Sequence, residues 1–417
     1  MKKIKMKPYL ISTTTGSIPD DKIVGRDREI ELLKDLLESQ SVVIDEIRRM
    51  GKTLLLKKFA YLSVENDEPN KALYFIFQGT DSINSLTDVI LNELRQKEKY
   101  GWLKVQMHRC SELYHKIRGD KASVKYQDIE FSFALPDFKI EWKKAFRACI
   151  EDLADHQLAK GERLTLIFDE LPIMLWEWIR TGRAADAMAF LDLLRDLHFS
   201  VKNSDRIRFI FCGSIGMQVV LDKLKQEHQY TGEPFNHMQK FQLPPMGEAD
   251  ALFLCECLYL AHFQCDQIAS KSAYFEDIIE RCNRLPYFIH SVFHNLKHNA
   301  QGILSNPTIN EAFETLLKEK SAASDVFEQL HQRLLIYYPQ NSAKLMRSCL
   351  NLLSKASAPM SEQDIKTALS FDEDDVQTAL NLLWRDDFLH RTFDEQENRA
   401  YAFRYSLIKR WWKLNKA

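Results

Sequence analysis

The chain has 417 residues, 45% of them hydrophobic, and its formal net charge is −2. This length predicts two or three domains, and the hydrophobic content excludes a wholly disordered chain. A nearly neutral charge excludes a protein that coats nucleic acid over its whole surface, so any such contact must be local.

The first part of the chain alternates helical periodicity with short apolar runs. We predict a strand at 41–44 (SVVI), then a loop and a helix at 53–63, and a second strand at 72–77 (ALYFIF). Further helices are expected at 26–38 and 82–95. This alternation is typical of α/β domains.

Residues 97–147 interrupt the alternation. They carry 12 Lys/Arg against 7 Asp/Glu, and we interpret them as an insertion with a β-hairpin at 128–140. Continuous Val/Ile/Leu/Phe strands between helices then indicate a parallel sheet covered on both faces. The elements after the insertion are a helix at 141–158, a strand at 164–168, a helix at 185–199 and a strand at 207–212.

The chain changes character after Pro244 and Pro245. Residues 248–340 have almost only helical periodicity and no convincing strand. Residues 344–417 follow the order helix, helix, helix and hairpin, which suggests a winged helix. The predicted elements are helices at 344–356, 361–369 and 373–385 and hairpin strands at 388–392 and 400–405.

The sequence also bears on location and redox state. It has no run approaching 18 apolar residues and no secretory signal in MKKIKMKPYLIS, so we expect a cytoplasmic protein without a membrane span. The eight scattered cysteines contain no C-x-x-C pair and are interpreted as reduced thiols. A zinc site at Cys255, Cys257 and His262 is the minor alternative, because these residues lie in a helical pattern.

A phosphate-loop pattern lies between the first predicted strand and its helix. In IDEIRRMGKT (44–53), Gly51, Lys52 and Thr53 fit the second half of G-x-x-x-x-G-K-[ST], while Glu46 replaces its first glycine. Backbone N–H groups of such a loop bind phosphate, Lys52 would reach the β- and γ-phosphates of ATP, and the Thr53 hydroxyl would bind Mg²⁺. The candidate nucleotide-binding residues are Glu46, Ile47, Arg48, Arg49, Met50, Gly51, Lys52, Thr53 and Leu54.

Polar residues follow two other predicted strands. In LTLIFDEL, Asp169 would hold the Mg²⁺ shell together with Thr53, and Glu170 would polarise the attacking water. Ser214, after the strand IRFIFC, could bind the γ-phosphate or that water, because ligands of α/β sheets lie beyond the carboxyl ends of the strands. The alternative for Asp169 and Glu170 is an exposed acidic pair at a strand end.

The motif set resembles a known group of proteins. IVGRDREIELL, IRRMGKT, LIFDELP, FIFCGSIG and FQLPP are similar to signatures of AAA+/STAND-related P-loop ATPases, most closely the origin-recognition-like prokaryotic "archaeal ATPase" group. The resemblance covers about 20–300, and YAFRYSLIKRWW resembles the winged-helix ending of that group. It implies that Val24, Gly25 and Arg26 lie near the adenine, that Ser214 is sensor 1, and that Pro286 packs near the base.

The resemblance predicts a domain order. It implies an α/β P-loop core with a parallel sheet and helices on both faces, then an all-α lid, then a winged helix. ATP would lie between the core and the lid. The predicted boundaries are 1–20 for an N-terminal leader, 21–245 for the core, 246–340 for the lid and 341–417 for the winged helix.

Two positions depart from the family pattern. Glu46 should oppose phosphate unless it pairs, for which Arg48 and Arg49 are at hand, and a residue other than glycine disfavours positive φ. Glu46→Gly should therefore raise ATP affinity. Arg284 stands where the lid motif often has glycine. We expect nucleotide binding with slow hydrolysis.

DNA is a candidate partner through two basic segments. The third helix of the predicted winged helix opens with four acidic residues and should be a poor major-groove reader. Basic residues concentrate instead in 399–417, where Lys409, Arg410 and Lys413 are candidates, and in the insertion 97–147. The basic end could also dock on a second copy in a homo-oligomer, or be a solvated helix face over core tryptophans.

The leading hypothesis is a slow Mg²⁺-dependent ATPase that couples nucleotide state to conformational change or assembly. The resemblance suggests roles at DNA, mobile elements or defence. One alternative is a non-hydrolysing, nucleotide-dependent switch or scaffold that binds a protein. The other alternative is a DNA-binding regulator.

Overall fold

The computed structural model describes two units of the chain. The sheet unit comprises 28–45 and 52–242, and the helical unit comprises 1–27, 46–51 and 243–417. The residues described within them are 7–11, 18–94, 142–144, 146, 147, 150, 151, 153, 161–200, 205–261, 263–318, 324–393 and 397–417. The predicted hairpin at 128–140 lies outside these residues.

The sheet unit is built on five parallel strands in the order β2-β3-β4-β1-β5. Each of the four strands predicted from apolar runs is present within two residues of its expected bounds, and the parallel α/β fold class is confirmed. The strands are β1 (Val42–Asp45), β2 (Asn70–Ile76), β3 (Arg163–Asp169), β4 (Ile207–Gly213) and β5 (Gln239–Lys240).

Six helices of the sheet unit surround this sheet, and the described residues between 142 and 153 are also helical. The helices are α1 (Asp27–Ser39), α2 (Lys52–Glu65), α3 (Ile83–Leu94), α4 (Leu171–Arg180), α5 (Ala184–Phe199) and α6 (Met217–His228). Helix α4 was not predicted. Seven of its ten residues are buried, and only Glu177 and Arg180 in its sequence LPIMLWEWIR are charged.

An aromatic cluster on the central strands holds the sheet in register. The ring of Phe168 on β3 lies 5.0 Å from Phe77 and 5.8 Å from Phe75 on one side, and 5.9 Å from Phe209 and 5.7 Å from Phe211 on the other, between ring centroids. A slip by one residue would turn these rings to the other face of the sheet. The cluster therefore fixes which residues meet at the carboxyl ends of the strands.

The helical unit contains mostly helices, as predicted for 248–340, with one addition. Two-residue strands β6 (Gln264–Cys265) and β7 (Ile303–Leu304) pair in parallel. They are too short to produce a visible alternation in the sequence. The helices of this part are α7 (Glu248–Tyr259), α8 (Lys271–Arg281), α9 (Pro286–Asn299), α10 (Asn306–Leu317) and α11 (Ser324–Tyr337).

The C-terminal elements occur in the predicted order, followed by a further helix. Stacked rings of Phe288, Phe327 and Trp411 and the fully buried Trp412 form their core contact with α9 and α11. The two tryptophans are therefore core residues. The elements are α12 (Gln340–Lys355), β8 (Met360–Ser361), α13 (Glu362–Ala368), α14 (Glu373–Arg385), β9 (Leu389–Phe393), β10 (Arg399–Phe403) and α15 (Ser406–Asn415).

Two of the thiols considered for zinc are buried inside α7. Cys255 and Cys257 have no exposed surface, and burial raises the pKa of both thiols, which disfavours the thiolate that zinc requires. His262 lies outside the described residues, and no group of three potential metal ligands occurs within them. No helix of the described part is long and apolar enough to cross a membrane.

We predict that Gly213→Ala destabilises the sheet unit. An added Cβ would lie 2.5 Å from the ring of Pro172 in the first turn of α4, and such overpacking costs about 1–3 kcal/mol. The free energy of unfolding in urea measures the effect. Gly216→Ala is the matched control, because the nearest atom to its Cβ would be 3.9 Å away; equal losses in both variants would contradict the prediction.

We also predict that His290 makes the protein less stable in acid. Its imidazole is buried on α9, Nδ1 has no hydrogen-bond partner among the residues that the structure describes, and burial lowers the pKa to about 4. Because the unfolded chain binds this proton from about pH 6.5, stability falls as pH falls from 6.5 to 4, by at most about 1.4 kcal/mol per pH unit. Unfolding curves of His290→Leu should show a correspondingly shallower slope in this range. The same change at exposed His228 should leave the slope unaltered.

Candidate active site

Asp169 is the centre of a hydrogen-bond network at the carboxyl end of β3. The Thr53 hydroxyl donates to Asp169 Oδ2 at 2.8 Å, and the Tyr74 hydroxyl donates to the same oxygen at 2.6 Å. Oδ1 accepts the backbone N–H of Glu170 at 3.1 Å. The carboxylate is 1% exposed, so these donors replace the water that it would have in solution.

The phenol of Tyr74 is protonated in this network. Burial, followed by the negative charge of Asp169, raises the pKa of Tyr74 far above its ordinary value. Burial and the same carboxylate also raise the pKa of Cys212, which lies beside Asp169 in the sheet. Tyr74 and Cys212 are therefore protonated neighbours of the Asp169 carboxyl group. Tyr74 was not predicted as a site residue from the sequence, although its hydroxyl is the one polar side-chain group in the apolar run ALYFIF.

The hydroxyl of Thr53 and the carboxylate of Asp169 fit a magnesium ion. Mg²⁺ takes oxygen ligands in an octahedron at about 2.0–2.1 Å, which places adjacent ligands about 3 Å apart. The two oxygens lie 2.8 Å apart. Lys52, the first residue of α2, has a buried side chain, and its position at the helix N-terminus is suited to phosphate.

Glu170 and Ser214, predicted to act on the attacking water, contact one another. Oε2 of Glu170 accepts the backbone N–H of Ser214 at 3.0 Å and its hydroxyl at 2.9 Å. Glu170 adopts a left-handed conformation (φ 59°, ψ 26°) in the turn from β3 to α4. A residue other than glycine rarely adopts this conformation, and such strain is concentrated at functional sites.

The phosphate-loop residues 46–51 belong to the helical unit and contact several of its elements. Arg48 donates to the Gln329 amide oxygen of α11 at 2.6 Å, and the guanidinium of Arg49 lies 4.3 Å from the ring centroid of Tyr287 on α9. Ile47 and Met50 are buried apolar residues. The side chains of Arg48 and Arg49 therefore anchor the loop on α11 and α9.

Glu46 does not need the conformational freedom of glycine. It lies outside the positive-φ region, which Arg49 (φ 73°) and Gly51 (φ 92°) occupy instead. Its buried carboxylate accepts the backbone N–H of Leu243 through Oε1 at 3.2 Å, and Oε2 lies 3.9 Å from Nη2 of Arg404. These two contacts could not be found from the sequence, because their residues are about 200 and 360 positions away.

Two of the residues assigned to the adenine region lie beside the loop. Arg26 donates to the backbone carbonyls of Met50 and Pro244, each at 2.7 Å. A Cβ on Gly51 would lie 3.4 Å from Pro286. The structure therefore brings the Arg26 segment and Pro286 to the loop.

The adenine-region residues Val24 and Gly25, the phosphate-loop residue Leu54 and the lid-motif residue Arg284 have less specific surroundings. Val24 and Leu54 are half-buried. Gly25 has positive φ (68°), and a Cβ there would clash with Asp250 at 2.8 Å. Arg284 also has positive φ (54°), which explains why glycine suits that position in the lid motif.

The candidate DNA-binding residues of α15 differ in exposure. Lys409 is half-buried and donates to the backbone carbonyl of Ala356 at 2.6 Å, whereas Arg410 and Lys413 are exposed. Asp372 caps α14, whose first turn is acidic. The insertion 97–147 lies mostly outside the described residues.

The fold and the motifs place the chain in one structural class. A parallel sheet with a G-K-T loop after β1 and an acidic pair after β3 defines an α/β core of the P-loop type, as the resemblance predicted. No protein-family model and no curated protein matches the chain.

Solved structures are similar to the chain at low identity. The ADP form of the Aeropyrum pernix ORC2 protein has 12% identity and a TM-score of 0.44, over 97% of this chain and 92% of that one. The Thermotoga maritima RuvB Holliday junction branch migration motor has 10% identity and a TM-score of 0.38, over 91% and 93%. The fold class rests on the sheet topology of this chain.

We predict that Tyr74→Phe destabilises the protein by about 1.5–3 kcal/mol, because a buried carboxylate loses a hydrogen bond. Tyr230→Phe is a matched control, since Tyr230 donates at 2.8 Å to Asp192, which is exposed. Water can replace the lost donor there, so a loss of at most about 1 kcal/mol is expected. Urea unfolding measures both, and a Tyr74 variant no less stable than the control would refute the role of the network.

Proposed function

We propose that the chain binds Mg-ATP and hydrolyses it slowly. The observation that carries the proposal is the pair of Thr53 and Asp169, whose oxygens lie 2.8 Å apart at the carboxyl edge of a parallel sheet. Thr53 and Asp169 would hold Mg²⁺, which would neutralise charge on the phosphates. Lys52 and the backbone of 46–51 would bind the phosphates. Val24, Gly25, Arg26 and Pro286 are the proposed surroundings of the adenine.

Glu170 is the proposed group that orients the attacking water. Its carboxylate follows Asp169 directly in the chain, and Oε2 already accepts two hydrogen bonds from Ser214. Water must compete with these donors for the same oxygen, which supports slow turnover. The same contact supports the second candidate, a switch that binds nucleotide without hydrolysing it.

Nucleotide binding would be coupled to the helical unit. The loop that would hold the phosphates is anchored by Gln329 and Tyr287, which belong to α11 and α9. A change in the loop on binding must alter these contacts. This supports a role in which nucleotide state changes conformation or assembly with a second copy or another protein.

DNA is the third candidate partner. Arg410 and Lys413 are exposed and three positions apart on α15, so they lie on one helix face and could contact phosphates. Only local binding is expected, because the net charge of the chain is −2. Duplex DNA is therefore added as a variable in the assay of ATP turnover.

We predict that the wild-type protein turns over ATP only with Mg²⁺, and that Glu170→Gln lowers the rate at least about 100-fold while nucleotide still binds. Lys52→Ala should lose binding. Glu177→Gln is the matched control. Glu177 lies on helix α4, which directly follows Glu170, and it pairs with the exposed Arg180 of the same helix. Phosphate release and binding of a fluorescent ATP analogue are measured with and without DNA, alongside sizing chromatography.

The outcomes separate the candidates. Binding without turnover in the wild type, with Mg²⁺ and DNA present, would favour the switch. Salt-dependent DNA binding without nucleotide binding would favour a DNA-binding regulator. Equal turnover by the Glu170 and Glu177 variants would remove Glu170 from its proposed role.

A further inference from the structure

One hydrogen bond and one longer ion pair connect the unusual glutamate of the phosphate loop to groups on other elements. Its Oε1 accepts the N–H of Leu243, and its Oε2 lies 3.9 Å from Nη2 of Arg404, which follows β10. The Glu46 side chain is 1% exposed, and that of Arg404 is 24% exposed. Glu46 is therefore directed toward the segment after β10 within the helical unit.

Arg404 is itself fixed in place. Its Nη1 donates to Asp387, a buried residue between α14 and β9, and its backbone N–H donates to the Phe388 carbonyl at 3.0 Å. One nitrogen of the guanidinium thus anchors on the connection that precedes β9, and the other faces Glu46. A rigid, planar guanidinium can hold two carboxylates in this way, whereas the single ammonium of lysine cannot do so with the same geometry.

We infer that Arg404 is a positioning residue for phosphate binding, which acts through Glu46. A negative carboxylate at this position of a phosphate loop opposes the phosphates of a nucleotide. Arg404 compensates that charge and, with Leu243, keeps the carboxylate on the side of the loop that faces the C-terminal hairpin. The C-terminal segment thereby sets how well the loop accepts phosphate. This inference rests on the proposed nucleotide binding.

If Arg404 acts in this way, the effect of Glu46 on nucleotide affinity depends on whether Arg404 is present. In the wild type, Glu46→Gln should change nucleotide affinity less than about threefold, because the charge is already compensated. Arg404→Gln should weaken affinity about tenfold, an order of magnitude expected for unmasking one charge near a charged ligand. In the E46Q background, R404Q should change affinity less than about twofold. The sequence alone predicted that replacing Glu46 raises the affinity for ATP. We expect this increase only in a variant that lacks Arg404.

The test is a double-mutant cycle read by the dissociation constant of a fluorescent ATP analogue for the wild type, E46Q, R404Q and E46Q/R404Q. Arg404→Lys should bind the ATP analogue more tightly than Arg404→Gln but less tightly than the wild type. Lysine keeps the positive charge but lacks the planar guanidinium with its several donors. Arg347→Gln, which removes an exposed arginine from α12 of the same unit, is the control for net charge. An equal loss from R404Q in both backgrounds, or no loss in either, would overturn the inference.

A second measurement separates this inference from the proposed function. The same four proteins are unfolded by heat without nucleotide. A wild type that binds no ATP analogue would refute the proposed function, while coupling between Glu46 and Arg404 in the unfolding data would still report their contact. If the proteins bind nucleotide but the two substitutions change the binding free energy additively, the positioning role would be refuted while the proposed function would stand.

Discussion

The register of β3 between β2 and β4 is the constraint on which the sheet unit depends. It sets Asp169 opposite Ile76 on one side and Cys212 on the other. The Phe168 cluster holds this register, because a slip by one residue would turn the rings of one strand away from those of its neighbours. As a consequence, the Asp169 side chain is buried where the Tyr74 and Thr53 hydroxyls donate to it. The magnesium chemistry proposed for the site follows from that placement.

The phosphate loop has a second set of constraints in the helical unit. Its arginines are engaged by Gln329 and Tyr287, and its glutamate faces Arg404. A loop anchored in this way cannot respond to a ligand without disturbing those contacts. The departure at Glu46, which in the sequence alone suggested a weakened nucleotide site, is the point at which, in the proposed function, the C-terminal segment would act on phosphate binding.

Much of the fold could be predicted because its elements carry simple periodicities. Strands buried on both faces are continuous apolar runs, and amphipathic helices repeat every 3.6 residues. Helix α4 was not predicted, and it is buried on most sides. Strands β6 and β7 were not predicted because two residues are too few to show an alternation of apolar and polar side chains. The candidate groups Lys52, Thr53, Asp169 and Ser214 were found because their motifs are local in sequence. Tyr74 and Arg404 were not, since each acts across elements far apart in the chain.

The sequence by itself determined the parallel α/β core, the order of the later helices and the hairpin, and the strand ends that carry polar residues. These depend on local periodicity and on short motifs, which a single chain displays directly. Only the tertiary structure decided that Ser214 contacts Glu170, that Asp169 has Tyr74 as a donor, and that Glu46 faces Arg404. Such contacts depend on how strands and helices pack, because hydrogen bonds and ion pairs form between atoms within about 4 Å, whatever their separation along the chain.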